Sequence, residues 1–158
     1  MKDAAAARAA ALVARTMTAS LGTLHEGAPS VTMVPFAPLP APFAFVVLVS
    51  GLASHTRDML ADPRVGLLIV EAEGGATPPH ALARVALQGR AAPLDQDDPR
   101  HAAARACYVQ RFPDMVGLFD LGDFRLVAIE PGTVRVVLGF AQATSLTPAT
   151  LAAALAVG

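Results

Sequence analysis

The apolar and polar positions in the first part of the chain follow two periods. Residues 3–16 are rich in Ala and carry basic residues at intervals, which predicts an amphipathic helix. Residues 19–25 and 30–36 alternate with the period of two that is typical of strands, and the turn sequence Glu26-Gly27-Ala28-Pro29 separates them. These segments predict a β-hairpin. Its second strand has a small, hydroxylated face and an apolar face, formed respectively by Ser30, Thr32, Val34 and by Val31, Met33, Pro35.

The middle of the chain contains two apolar runs separated by a short polar segment. Phe43–Ser50 and Arg64–Glu71 are rich in β-branched and aromatic residues and apolar on both faces, which predicts two buried strands. The proline-rich residues 37–42 before them predict a loop. Between the strands, a short helix is expected to end near Asp62-Pro63, with Ser54 or Thr56 as its N-cap.

The remaining third of the chain predicts further strands and helices. The expected elements are a strand at Ala83–Pro93, helices at Pro99–Arg111 and Asp114–Leu118, a hairpin of Phe124–Glu130 with Thr133–Phe140 across Pro131-Gly132, and a last helix after Thr147-Pro148. About seven short antiparallel strands predict a mainly β, α+β barrel rather than a doubly wound sheet. We expect residues 1–158 to form a single domain.

Composition excludes several classes of protein. The net charge is −1 and the 12 basic residues are scattered, so we expect no nucleic-acid partner. Residues 27–54 carry no charged side chain but contain five prolines, so we expect no membrane-spanning helix. A lone cysteine, Cys107, excludes an internal disulfide and fits a cytoplasmic setting. The hydrophobic fraction of 54% is high, and a subunit interface would account for part of it.

The candidate chemistry lies at the junction from Ser50 to Arg57, where a strand is expected to lead into a helix. Free backbone amides, hydroxyl groups and a guanidinium meet there, and these are the groups that bind phosphate. Arg57 has an alternative reading as a surface side chain paired with Asp58 or Asp62. His25, His80 and His101 show no metal-ligand spacing, so we expect solvated positions for them and no metal site.

Four segments carry a family resemblance. The run SHTRDMLADPRVGLLIVE, which begins at Ser54, resembles the corresponding stretch of the pyridoxamine 5′-phosphate oxidase-like, FMN-binding split barrels. It is most similar to their haem-utilisation branch, in which H-T-R-N-L precedes A-D-P-R. The segments GAPSVTMVPF at 27–36, ARVALQG at 83–89 and LGDFRLVAIEPGTVRVVLGF at 121–140 resemble further parts of that branch in the same order.

The resemblance implies a six-stranded antiparallel split barrel with flanking helices that forms a homodimer and binds FMN at the subunit interface. Ser54 and His55 correspond to the phosphate-binding Arg-Lys pair of the family, and Ser50 and Arg57 also fall in the phosphate-contacting segment. Arg84 corresponds to a residue that reaches the flavin or ribityl chain, and residues 30–34 to the strand along the flavin ring. The predicted cofactor-binding residues are Ser30, Thr32, Met33, Val34, Ser50, Ser54, His55, Thr56, Arg57, Arg84 and Gln88.

The chain also departs from the family pattern. His55 stands where Lys is usual and Asp58 where Asn is usual, and no Arg-rich C-terminal motif is present to bind pyridoxal phosphate. The sequence stops at Gly158 without the small C-terminal domain of many haem-branch members, and no C-terminal His offers an axial haem ligand. We therefore expect an FMN-dependent oxidoreductase of unidentified substrate, with no side chain assigned as catalytic. The alternatives are a haem-binding or haem-degrading protein, or a non-catalytic flavin- or haem-binding module.

Overall fold

The computed structural model describes residues 1–158 and consists of one antiparallel sheet with helices packed on it. Its eight strands follow the order β2-β1-β5-β6-β7-β4-β3, with β8 paired to β7. The bounds of the elements are α1 Lys2–Arg15, β1 Thr18–His25, β2 Ala28–Pro35, β3 Ala37–Leu39, β4 Ala44–Ser50, α2 Ser54–Ala61, β5 Arg64–Val70, β6 Arg84–Leu94, α3 His101–Arg111, β7 Phe124–Val137, β8 Ala143–Leu146 and α4 Pro148–Val157, with 3₁₀ segments at Pro79–Ala81 and Pro113–Asp120.

The mainly β architecture with flanking helices is confirmed. The strands β3 and β8 are only three and four residues long, so six longer strands remain, as the resemblance implies. β3 lies in the proline-rich segment for which a loop was predicted, and its three residues pair with β4. The last helix begins as predicted, because the Thr147 hydroxyl accepts the amide of Thr150 at 3.1 Å.

Two apolar clusters lie on opposite sides of β4. The larger cluster fills the concave side of the sheet and includes residues of α1 and α4, whereas the smaller one packs against α3 and includes Tyr108. Ala44–Val49 is consequently buried on both faces, as predicted for a central strand. β5 differs from the prediction, since only Val65, Leu67 and Ile69 are buried while Leu68 remains 36% exposed. No helix covers that second face within the chain.

The predicted hairpin across Pro131-Gly132 is wrong. Phe124–Val137 is one continuous strand that pairs with β6 along its length, and the hairpin turn comes later, between β7 and β8. The register shifts between Gln88 and Gly89, opposite Pro131 and Gly132, so the Pro-Gly pair forms a β-bulge. A Pro is compatible with a bulge because it has no amide to donate to the ladder. The same dipeptide is also a turn signal, which explains the misreading.

The bulge makes Gly89 necessary for close approach of the two strands. A Cβ atom at Gly89 would lie 2.4 Å from the carbonyl oxygen of Glu130, which is backbone and has little freedom to move. A Cβ at Gly66 on the neighbouring strand would meet its nearest atom, the Leu87 carbonyl oxygen, at an ordinary 3.6 Å.

We therefore expect Gly89→Ala to lower the free energy of unfolding by about 1–3 kcal/mol, the usual cost of overpacking. Urea denaturation followed by far-UV circular dichroism measures this change. The matched control is Gly117→Ala, which introduces the same methyl group where no atom lies within 4 Å and is expected to change stability by no more than about 0.5 kcal/mol. Equal effects of the two substitutions would contradict the close approach at the bulge.

Candidate functional site

The β4–α2 junction, residues Ser50–Arg57, is shaped by hydrogen bonds of Ser50. The Ser50 hydroxyl accepts the amide of Leu52 at 3.1 Å and donates to Oδ2 of Asp123 at 3.2 Å. The Ser50 carbonyl accepts the amide of Ala53 at 3.2 Å, and the Asp123 carbonyl accepts the amide of Gly51. Asp123 therefore fixes this turn. Because the Ser50 hydroxyl is hydrogen-bonded within the chain, its role is to hold the turn in shape.

The first turn of α2 keeps its amides free. The predicted N-cap at Ser54 or Thr56 is wrong, because Ala53 occupies that position and supplies no side-chain acceptor. The first intrahelical bond runs from the amide of Arg57 to the carbonyl of Ala53 at 3.3 Å. The amides of Ser54, His55 and Thr56 consequently have no backbone acceptor. This end of the eight-residue helix carries the partial positive charge that favours an anion.

Arg57 is available to an external ligand. The alternative reading, a surface salt bridge to Asp58 or Asp62, is wrong. Asp62 instead accepts two bonds from Arg64 at 3.0 and 2.7 Å, and this fork lowers the pKa of Asp62 to about 2. Asp58 points away from Arg57 toward β1. The Arg57 side chain is exposed and forms no ion pair in the chain, so its guanidinium is free.

Asp58 joins α2 to β1 through a buried carboxylate. It is 5% exposed, accepts the hydroxyl of Thr23 at 3.0 Å, and lies 2.7 Å from Nδ1 of His25. The hydrogen bond to His25 lowers the pKa of Asp58, with a smaller contribution from Thr23, and the same bond raises the pKa of His25. The prediction that His25 is simply solvated is wrong, although its side chain stays 58% exposed. Sequence reasoning missed this pair because its partners are 33 residues apart.

His55 is partly buried in the junction, and Thr56 is its buried member. Burial lowers the pKa of His55, so the neutral imidazole is favoured and does not replace the positive charge of a Lys. Thr56 is 1% exposed, and its hydroxyl oxygen has no hydrogen-bond partner. Ser54 is exposed beside them. The junction therefore offers amides, a hydroxyl and one free guanidinium to an anionic group.

The other predicted site residues lie on the sheet, and only some of them come together. Ser30 and Gln88 line one cleft of about 580 Å³, whose floor includes Gly22, Gly66, Gly89 and Gly132. Thr32 and Val34 share the inward face of β2 with Ser30, whereas Met33 points outward and is 62% exposed. Arg84 lies farther along β6, opposite Val70, and donates to the Leu82 carbonyl at 3.0 Å rather than to an acidic side chain.

Comparison with known proteins places the chain in a family. The family model described as pyridoxamine 5′-phosphate oxidase matches residues 5–138. The chain belongs to this family. Two of its curated relatives are a chloroplastic haem oxygenase, HOZ, of Arabidopsis thaliana and the haem oxygenase HutZ of Vibrio cholerae. The chain is 37% identical to HOZ over 80% of its own length and 37% of HOZ, and 30% identical to HutZ over 80% of its own length and 72% of HutZ. It thus spans well under half of HOZ.

Solved structures of similar proteins share the fold. A haem-binding protein from Mycobacterium smegmatis superimposes with a TM-score of 0.82 at 33% identity, over 94% of this chain and 60% of that one. The structure of HutZ, named there as a haem storage protein, has a TM-score of 0.75 at 25% identity, over 84% and 94% of the two chains. These similarities confirm the split-barrel fold and the kinship with haem-utilisation proteins. No helix in the structure is both long and apolar enough to cross a membrane.

The His25–Asp58 pair makes the stability of the unliganded protein depend on pH. His25 faces Asp58 and Glu26, which raise its pKa, and Arg57, which lowers it. A raised pKa stabilises the fold fully below the unfolded value of about 6.5, and this contribution is lost as the pH rises through the folded pKa. The lowered pKa of Asp58 stabilises the fold above about pH 4, and this contribution is lost as the pH falls through the folded value.

We expect the pair to stabilise the protein most between about pH 4 and pH 6.5. The measurement is the melting temperature of the wild type and of His25→Gln, which keeps a hydrogen-bond donor without titrating. The difference between the two is expected to be largest in that window and to shrink toward pH 9. A difference that stays constant from pH 5 to pH 9 would show that the charge on His25 is irrelevant.

Proposed function

We propose that this chain binds haem and, like the two oxygenases to which it is similar, acts on it. The observation that carries the proposal is the open, positively charged β4–α2 junction in a chain at least 30% identical to two haem oxygenases and one haem-binding protein. Haem bears two carboxylates, and these are anions of the kind that free helix amides and a guanidinium bind.

The groups at the junction fit a propionate carboxylate. Arg57 is exposed and unpaired, so it can form a charge-assisted hydrogen bond without first breaking an internal ion pair. The exposed Ser54 hydroxyl and the free amides of residues 54–56 add neutral donors.

In this function the residues of the chain bind and orient the cofactor. Haem iron, when bound, supplies the oxygen chemistry. Arg57 and Ser54 hold the carboxylate edge, while Ser50 and Asp123 keep the turn in shape through their hydrogen bonds. Asp58 fixes α2 on β1, so that the first turn of the helix keeps its orientation.

FMN is the second candidate ligand, and the same junction favours it. A flavin phosphate carries up to two negative charges and three acceptor oxygens, which suits the free amides of α2 and Arg57. Two features weaken this candidate. Burial lowers the pKa of His55, so Arg57 is the one side chain of the junction with a permanent positive charge. One flavin-related neighbour, a FAD-binding protein from Mesorhizobium loti, is 16% identical and shares the fold alone. FMN as the ligand would imply an FMN-dependent oxidoreductase, and a non-catalytic carrier is the alternative for either ligand.

We also propose that the protein is a homodimer formed through the outer face of β2, β1, β5 and β6. Two cross-strand rows run over this face, Val31–Gly22–Gly66–Gln88 and Met33–Ser20–Leu68–Ala86. Val31 and Met33 are 73% and 62% exposed, and no element of the chain covers them. Apolar side chains on a flat surface of small residues are typical of a subunit interface.

The first test compares the absorption of the purified protein with added haem and with added FMN. We expect a Soret band that shifts and saturates on haem addition, and Arg57→Ala combined with Ser54→Ala is expected to weaken binding by about tenfold to a hundredfold through loss of a charged hydrogen bond. Arg15→Ala is the control, because Arg15 is an exposed basic residue in the last turn of α1 and lines a different cleft with Glu71 and Gly139.

Three results would decide against parts of this proposal. A protein that takes up FMN and not haem would identify the second candidate as the ligand. Absence of binding to either would exclude both. Binding that is unchanged in the double variant would show that the junction is not the anion site.

The dimer is tested by light scattering coupled to size exclusion. We expect Val31→Asp with Met33→Glu to convert a dimer into a monomer, because two buried carboxylates at an apolar interface cost several kcal/mol. Met115→Glu is the matched control, since Met115 is 39% exposed on a 3₁₀ segment of another surface. A wild type that is monomeric at all concentrations would refute the proposed interface.

A further inference from the structure

We propose that the His25–Asp58 pair makes anion binding at the β4–α2 junction depend on pH. The junction holds its anion while His25 is protonated and releases the anion when that proton is lost. This inference rests on the proposed function, because it concerns the same anion-binding site, and it goes beyond that function by adding a control on ligand release. His25 acts here as a charge held near the site and makes no contact with the ligand.

The pair is built into the contact between α2 and the first hairpin. Nδ1 of His25 lies 2.7 Å from Oδ1 of Asp58, and the Thr23 hydroxyl donates to Oδ2 of the same carboxylate at 3.0 Å. Asp58 is 5% exposed, whereas the His25 side chain is 58% exposed and exchanges its proton with solvent. A fixed, buried carboxylate is thus joined to one titrating group that water reaches.

Asp58 lies close to the candidate anion site. It directly follows Arg57 on α2, about one helical turn after the free amides of residues 54–56. The Asp58 carboxylate therefore acts on the same ligand as the Arg57 guanidinium, but with the opposite sign. Whether the anion meets a net positive charge depends on what balances Asp58.

The local charge changes with the protonation of His25. Arg57 and the imidazolium of His25 are positive and Asp58 is negative, so the three side chains together carry one positive charge, and loss of the His25 proton leaves none. The neutral ring still donates its Nδ1 proton to Asp58, so α2 keeps its place on β1. The attraction for an anion consequently falls while the fold is retained.

The other charges around His25 leave this dependence in place. The groups that face His25 are Asp58 and Arg57 of α2 and Glu26 of its own turn, while β2, which pairs with His25 at Ala28, carries no charged side chain. The bond to Asp58 raises the pKa of His25, and the same bond lowers the pKa of Asp58. The carboxylate therefore stays charged where the imidazole titrates, which is above about pH 6.5.

The other histidines do not produce this effect in the same pH range. Burial lowers the pKa of His55, so the ring of His55 loses its proton below about pH 6.5. His80 and His101 lie on other elements, in the 3₁₀ segment Pro79–Ala81 and at the start of α3. Release of the anion above about pH 6.5 is thus a property of His25.

Binding and protonation are reciprocal. Arg57 lowers the pKa of His25, so a charge at the junction acts on the imidazole. A bound anion has the opposite sign and raises the pKa of His25. By linkage, this rise equals the logarithm of the ratio between the anion affinities of the protonated and neutral forms.

The experiment uses sulfate as the probe, because the charge of sulfate is constant from pH 5 to pH 9. Titrations of the full chain are followed at the carbon-bound methyl NMR signals of Ala53 and Thr56, which do not exchange with water. We expect sulfate affinity to fall about threefold to tenfold from pH 5 to pH 9 at low ionic strength. The ring signal of His25 is expected to show a pKa that is higher by about 0.5–1 in saturating sulfate.

Two substitutions are expected to change this profile in opposite directions. His25→Gln keeps a donor to Asp58 without a charge, so its affinity is expected to be as low at pH 5 as at pH 9. Asp58→Asn removes the negative charge, so its affinity at pH 9 is expected to exceed that of the wild type by about threefold to tenfold. A purely structural role of the pair would weaken both variants equally at every pH. His80→Gln is the matched control and is expected to keep the wild-type profile.

The outcomes separate this inference from the proposed function. A wild type with the same sulfate affinity at pH 5 and pH 9, and a His25 pKa that sulfate leaves unchanged, would overturn the inference even where haem binds. Both measurements use the wild type, so they decide the matter if a variant fails to fold. Absence of sulfate binding at the junction at any pH would refute the anion site together with its control. The expected sulfate profile in a protein that binds no haem would refute haem binding alone.

Discussion

The buried carboxylate of Asp58 is the interaction on which the candidate site depends. An unpaired carboxylate would be costly at 5% exposure, so Asp58 requires both Thr23 and His25 as donors. Those donors are adjacent on the inward face of β1, and their bonds fix the rotation of α2 about its axis. With that rotation set, the helix turns Asp58 and Thr56 inward and leaves Ser54 and Arg57 exposed. The short helix α2 therefore contributes side chains both to the interior and to the exposed candidate site.

This arrangement also changes the expected effect of Asp58 on an anionic ligand. A carboxylate near an anion-binding helix would oppose the ligand if its charge were free. The protonated form of His25 balances that charge, and the two pKa shifts have opposite signs because each group stabilises the charged form of the other. Arg57 therefore keeps its positive charge for an external anion.

The sheet separates a packed side from an open side. The concave side carries the large apolar cluster, and the opposite face of β2, β1 and β5 carries Ser20, Gly22 and Gly66 beside the exposed apolar side chains of Val31, Met33 and Leu68. Glycine at 22 and 66 removes side chains where the two strands face each other, which leaves the backbone accessible. This uncovered face is the one that we propose as the homodimer interface.

Sequence alone determined the parts of this protein that depend on local patterns. Period-two alternation located β1 and β2, the apolar run at 44–50 identified the central strand, and the motif at 54–71 identified the family. Tertiary structure decided what depends on partners distant in the chain. Pro131-Gly132 is a bulge because β6 pairs on both sides of it, and Arg57 is free because Asp62 is paired with Arg64 and Asp58 with His25. Hydrogen bonds across 33 residues leave no period in a sequence, so only the folded chain could reveal them.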